Sequence, residues 1–238
     1  MEKLGVKHQN LDRKIYQTLK AMILARKLAP GTKILQDKLA HELGVSRTPL
    51  INALKMLEHE KLIVSKPRRG FFVRLFSEQE MVHIFELREV LEGLTARRAA
   101  SQATTAQIEH LQVLFDRLNA AAESGDRKRY AEEDRQFHNF LVEIGGKEFL
   151  SSILESYNII SFSYQYKQQE GLVRASQETV EEHRAIVEAI RHHDPEKAEK
   201  AMRTHLSKSI HTLKLQPQKE EVSKQEHGTT MFSQENAV

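Results

Sequence analysis

The 238-residue chain contains no cysteine and no tryptophan, and only 10 Gly and 5 Pro. Without cysteine there is no disulfide, no thiolate zinc finger, no iron–sulfur ligation and no Cys nucleophile. That absence is compatible with a reducing cytoplasm. No apolar run approaches the ~18 residues that a transmembrane helix needs, so no membrane partner is expected. The first ten residues, MEKLGVKHQN, lack the apolar stretch of about 7–15 residues that marks a secretory signal. Scarce Gly and Pro beside abundant Leu, Ala, Glu, Lys and Gln favour helix throughout. At roughly 100–200 residues per domain, the length suggests two domains, each able to bury a core.

Charge of neither sign dominates the whole, with a formal net of +3. The balance is local. Residues 1–75 carry 16 Lys/Arg against 6 Asp/Glu, and residues 76–238 carry 20 against 27. A basic module beside an acidic one points to a polyanionic partner for the first, nucleic acid above all.

The pattern inside the basic module agrees. An amphipathic helix is predicted from Leu11 to Lys27, with Ile15, Leu19, Met22 and Ile23 on one face. Pro30-Gly31 makes a turn. A short helix from Gln36 stops at Gly44, a glycine C-cap, and Ser46 offers the N-cap of a helix reaching Glu60. Two short helices around such a turn form a helix-turn-helix. Leu62-Ile63-Val64, the basic turn Lys66-Pro67-Arg68-Arg69-Gly70 and Phe71-Phe72-Val73 then read as a hairpin wing.

In this motif the second helix enters the major groove of double-stranded DNA with its N-terminal residues near base edges. Ser46 and Thr48 can donate to phosphate oxygens, and Arg47 can take guanine O6 and N7 bidentately. Asn52 can pair with adenine, and Lys55 lies one turn beyond Ile51 on the same face. Lys66, Arg68 and Arg69 would grip backbone or minor groove, with Gly70 allowing close approach of the main chain.

The stretch from Pro30 to Val73 closely resembles the DNA-binding domain of GntR-type bacterial transcription regulators. The matching residues are Pro30-Gly31, Leu39-Ala40, Leu43-Gly44-Val45-Ser46-Arg47-Thr48-Pro49, Ala53-Leu54, Leu57-Glu58, Leu62 and Arg69-Gly70. The resemblance implies a cytoplasmic regulator, more often a repressor, that binds a palindromic operator as a homodimer. One departure stands out: the family usually has Arg-Glu before Ala53-Leu54, where this chain has Ile51-Asn52. Ile51 can pack on a thymine methyl but cannot donate, so relatives' operators do not transfer.

From Ser77 onward the pattern is helical. Helices are predicted over about 78–100, 105–123, 127–145, 148–168, 177–193 and 195–213, with Ser77 and Glu80 forming a capping box. The fold class is therefore mainly α: a winged helix-turn-helix (1–75) followed by an all-α bundle of about six to seven helices (76–215). Residues 216–238 are polar and aperiodic, predicting a disordered tail.

Asp134 and His138 are four apart and so share a helix face; His183 and His205 each border an apolar stripe of a later helix. Three imidazoles and a carboxylate suit one divalent first-row metal per chain, zinc or nickel foremost. From spacing alone, a lone helical histidine is more often a core or surface residue than a ligand. An enzyme reading is also open, although a di-iron centre needs two Glu-x-x-His motifs and only Glu80-Met81-Val82-His83 fits.

The same helices resemble the FCD-type ligand-binding domain of the FadR branch of that family. There an Asp-x-x-x-His pair, a Glu-His in a later helix and a His in the last helix hold one metal. Asp134, His138, His183 and His205 match those positions in order. The resemblance implies a small organic acid effector near the metal, with Arg88 as its carboxylate clamp; an Arg88–Glu92 ion pair is the equal alternative. Tyr157, Asn158, Ser161, Tyr164 and Tyr166 are further pocket candidates. A regulator with a purely structural metal and no effector is the remaining alternative.

Overall fold

The computed structural model describes residues 6–25, 27–169 and 173–215, and no side chain in 6–10, 147–149, 151–152 or 155–169. The predicted tail and the side chains of Tyr157, Asn158, Ser161, Tyr164 and Tyr166 lie outside the described residues. The order is α1 (Val6–Leu24), α2 (Gln36–Leu43), α3 (Arg47–His59), β1 (Ile63–Lys66), β2 (Gly70–Val73), α4 (Glu78–Gln102), α5 (Thr105–Glu123), α6 (Arg127–Gln169), α7 (Ser176–Arg191) and α8 (Pro195–Leu215).

The N-terminal module is a winged helix-turn-helix. Ile15, Leu19 and Ile23 of α1 pack with Leu50, Ala53, Leu54 and Leu57 of α3, all buried, because both helices repeat apolar residues at helical spacing. Gly44 closes α2 in the left-handed region at φ 64°, a conformation that costs a residue with a Cβ. Strands β1 and β2 pair antiparallel, Ile63 with Val73 through Lys66 with Gly70. The segment after Pro30 does more than turn: Gly31 N–H donates to Val73 O (2.9 Å) and Ile34 N–H to Phe71 O (2.9 Å), lining the outer edge of β2. Glu58 of α3 accepts from the Ser65 amide of β1 at 2.9 Å, so the wing is tied to the recognition helix. Hydrogen bonding from Ser65, its side chain first and then this amide, holds the Glu58 carboxyl below the usual range.

At the same C-terminal end of α3, Glu60 accepts from Tyr16 and pairs with Lys20 at 3.1 Å. Burial, then the Glu60 bond, pushes the Tyr16 hydroxyl up to about 12. Arg74 pairs with Glu80 just past the wing, and the Ser77–Glu80 capping box forms as the sequence predicts.

The C-terminal bundle has α4 as its hub, packed against α6 and α8, with α5 and α7 completing the layer. The mainly α class holds, but five helices follow the wing among the described residues, not six or seven. The predicted pair 127–145 and 148–168 is one continuous helix, α6, of 43 residues. Gly145-Gly146 therefore does not end a helix. A Cβ on Gly145 would lie 2.0 Å from the Thr95 carbonyl oxygen of α4, so this glycine serves the close approach of two helices. Two interior glycines cost about 1 kcal/mol each against Ala, which tertiary packing can override.

Gly→Ala within a helix ordinarily stabilises by roughly 1 kcal/mol. Gly145→Ala is expected to reverse that sign and destabilise by about 1–3 kcal/mol, since backbone cannot yield as a side chain can. Urea unfolding checks this: a raised midpoint would contradict the close α4–α6 approach.

Candidate DNA-reading face and metal centre

Residues expected to meet DNA line the open side of α3 and the wing. Ser46 holds the N-cap position with extended backbone (φ −75°, ψ 165°), yet its side chain makes no capping hydrogen bond. Ser46, Arg47, Thr48, Asn52 and Lys55 are exposed, whereas Ile51 is half-buried. Lys66, Arg68 and Arg69 are exposed on the wing turn, Arg68 at φ 58° and Gly70 at φ 87°. Lys66 and Arg69 both sit over the Phe72 ring, at 4.8 and 5.8 Å from its centroid. Two of the expected readers have carboxylate partners that sequence reasoning missed. Arg47 pairs with Asp37 of α2, and Asn52 Nδ2 donates to Asp12 of α1 at 3.0 Å.

In the bundle, the four residues separated by as many as 71 positions come together. Asp134 and His138 from α6, His183 from α7 and His205 from α8 each present one ligand atom, all within 4.8 Å of one another. His183 Nε2 lies 3.4 Å from His138 Nε2 and 3.2 Å from Asp134 Oδ1. Ligands at 2.0–2.1 Å from one tetrahedral ion stand about 3.4 Å apart, so the spacing fits a zinc-sized centre.

The outer nitrogens explain the orientation. His138 Nδ1–H donates to Glu92 at 2.6 Å and His205 Nδ1–H to Glu182 at 2.9 Å. An ionised carboxylate only accepts, so each ring carries its proton on Nδ1 and turns the Nε2 lone pair inward. His183 Nδ1 lies 3.4 Å from the Tyr130 hydroxyl, which is 2.7 Å from Thr179 Oγ1. Neither Glu92 nor Tyr130 carried a sequence signal for this role. Their partners lie on other helices, 46 and 53 residues away.

Electrostatics favour ligation. Burial alone would raise the Asp134 carboxyl, but the His183 bond and the neighbouring imidazoles hold it far below the usual range. Glu92, wholly buried, is likewise opposed by burial and brought down to about 2 by Arg88 and His138. Burial, then the charge of His183, depresses His205 to about 3, keeping it neutral as a metal ligand must be.

Arg88 is buried and donates from Nε to Glu92 at 2.6 Å, so the ion-pair alternative is present. It also lines a small cavity of about 30 Å³ together with Asp134, His138 and His205. Arg174, a second buried arginine without a sequence signal, also lines that cavity. It binds Glu182 bidentately at 2.7 and 2.8 Å.

Residues 11–73 match the family of bacterial regulatory proteins named gntR, and residues 83–208 match the FCD domain. The chain is 27% identical to the uncharacterized HTH-type transcriptional regulator YdhC of Bacillus subtilis, over 84% of this chain and 89% of that one. It is 29% identical to a probable D-xylose utilization operon transcriptional repressor of Paenarthrobacter nicotinovorans (76% and 79%). With the transcriptional repressor RspR of Escherichia coli K12 the identity is 27% (83% and 86%). Among solved structures, E. coli McbR/YncC superposes with a TM-score of 0.73 at 22% identity, covering 86% of this chain and 97% of that one, which shows the shared fold. These domains and relatives are transcription regulators, not enzymes. Among the described residues, no helix is long and apolar enough to cross a membrane. The chain belongs to the GntR family of DNA-binding transcription regulators, with an FCD domain behind its helix-turn-helix.

Proposed function

We propose that this regulator is a cytoplasmic repressor, acting as a homodimer on a palindromic operator and governed by a small organic acid bound beside a divalent metal. The observation that carries the reading is the convergence of Asp134, His138, His183 and His205 within 4.8 Å, with the outer histidine nitrogens already engaged. Two similar proteins are named repressors, which supports the sign of regulation.

On the DNA side, Ser46 and Thr48 would position the N-terminus of α3 on phosphates, and Arg47, Asn52 and Lys55 would face the major groove. Lys66, Arg68, Arg69 and Gly70 of the wing would follow the adjoining backbone or minor groove. On the sensing side, Asp134, His138, His183 and His205 would hold one zinc or nickel ion. Bound there, the ion would supply positive charge to attract a carboxylate. Arg88 would clamp the acid, and must then share or release Glu92. The adjoining cavity, about 30 Å³, has the volume of roughly one water. An acid of several heavy atoms enters only if α4, α6 and α8 shift around it. Such a shift is what gives an effector different affinities for two arrangements of the dimer, as coupling to the operator requires.

A second reading keeps the metal as a purely structural tie with no effector. The small cavity and the pairing of both arginines with carboxylates favour it. Titrating small organic acids into a DNA-shift assay separates the two, since under the second reading no acid alters operator affinity.

Arg47→Ala is expected to weaken operator binding by roughly 10- to 100-fold, the cost of a bidentate base contact, with fold and dimer unchanged. Fluorescence anisotropy at moderate salt reads this, and unaltered affinity removes Arg47 from the interface.

Asp134→Ala and His183→Ala should each lower bound metal well below about one ion per chain after dialysis. Elemental analysis showing wild-type content in both variants would sink the ligand assignment.

The acid response of the metal-free protein follows from His205. Its folded pKa of about 3 is below the ordinary 6.5, so the unfolded state binds more protons between those values. Stability should therefore fall as pH drops through that window. His205→Asn should flatten the decline in urea-unfolding measurements across it, and an unchanged slope would show that His205 is not held neutral.

A further inference from the structure

The contact between Arg47 and Asp37 has a definite geometry. Asp37 Oδ1 lies 2.7 Å from Arg47 Nε and Asp37 Oδ2 lies 2.9 Å from Nη2, a two-point contact along the side edge of the guanidinium. A guanidinium has five N–H donors in a planar fork. Asp37 engages one on Nε and one on Nη2. The parallel pair at the far end, on Nη1 and Nη2, is left whole, and that pair suffices for guanine O6 and N7.

The two side chains are 65% and 76% exposed, and an ion pair so open to water contributes at most about 1 kcal/mol to folding. Fold stability is thus a poor reason for it. Asp37 lies in the first turn of α2 and Arg47 in the first turn of α3, so the carboxylate spans the helix-turn-helix at the end expected to meet bases. A similar pairing occurs farther along α3, where Asp12 accepts from Asn52 Nδ2 at 3.0 Å, a bond that uses one of the amide's two N–H groups.

We propose that Asp37 is a specificity-determining positioning residue. It holds Arg47 by the side edge so that the end edge meets guanine, and it repels phosphate wherever no guanine is present. This rests on the reading of Arg47 as a base contact. A free arginine at this place would swing onto any nearby phosphate and bind all sequences alike. Held by Asp37, the planar fork has one approach left, and the penalty for a carboxylate near the backbone is offset only when both guanine bonds form. Discrimination then comes from a repulsive element as much as an attractive one.

The experiment uses the full chain. Wild-type protein selects its operator from a random duplex library. That duplex is then titrated by fluorescence anisotropy beside versions carrying single 7-deazaguanine replacements, which lack N7, and beside random duplex. Wild type should lose about tenfold at one guanine per half-site. Arg47→Ala should lose nothing further at that guanine. Asp37→Ala should discriminate there by less than about threefold, keep its preferences elsewhere, and bind random duplex several-fold more tightly. Asp37→Asn, isosteric and uncharged, should move in the same directions, which guards against a folding defect in the alanine variant.

Full tenfold discrimination at that guanine in both Asp37 variants overturns the proposal, as does tighter binding to every duplex by one common factor. If Arg47→Ala keeps the wild-type deazaguanine pattern, Arg47 is not the reader. The base-contact reading then fails together with the role given to Asp37.

Discussion

The Glu92 carboxylate, wholly buried, accepts from Arg88 on its own helix and from His138 on α6. The C-terminal bundle is arranged around it. A buried ionised group of this kind is costly to desolvate, and such networks are weak contributors to net stability compared with apolar packing. Their effect is to make one arrangement far better than its neighbours, because a rotated His138 or a displaced Arg88 would leave a charge buried alone. With Glu92 in place, His138 Nε2 points at Asp134 and His183, and the cluster follows. Glu182 repeats the device for His205, taking it together with Arg174 and Lys208.

Close helix approach makes this possible. Gly145 lets α6 come against the Thr95 backbone of α4, which brings the His138 turn of α6 within reach of Glu92. The N-terminal module relies on the same kind of tie at smaller scale. Glu60 binds Tyr16 and Lys20 of α1 while Glu58 holds the Ser65 amide of the wing, so α3 is tied to both the first helix and the hairpin. In both modules carboxylates fix the direction of other side chains more than they stabilise by charge.

The helix-turn-helix, the wing and most bundle helices were legible because their signals are local. Apolar residues at i, i+3 and i+4, the Gly44 cap, the Ser77–Glu80 box and the basic turn at Lys66–Gly70 lie within a few residues of what they specify. The Asp134–histidine cluster was half legible. Asp134 and His138 share a helix face, but only the order and context of His183 and His205 tied them to it, through family resemblance. The break predicted between 145 and 148 does not occur, since a glycine that admits a neighbouring backbone looks the same in sequence as one that stops a helix. Arg174 precedes α7 outside any periodic pattern, so its pairing with Glu182 left no trace in the spacing.

The sequence by itself determined the class of molecule: a basic winged module joined to an acidic helical one, in which only imidazoles and carboxylates, and no cysteine, are candidate metal ligands. Those properties follow from composition, periodicity and capping, which act over one or two turns of chain. Only the tertiary structure decided which nitrogen of each histidine faces the centre, which carboxylate holds it, and which edge of Arg47 remains open. Each of these depends on a partner brought from another helix, and such partners are chosen by packing, where no local rule of spacing reaches.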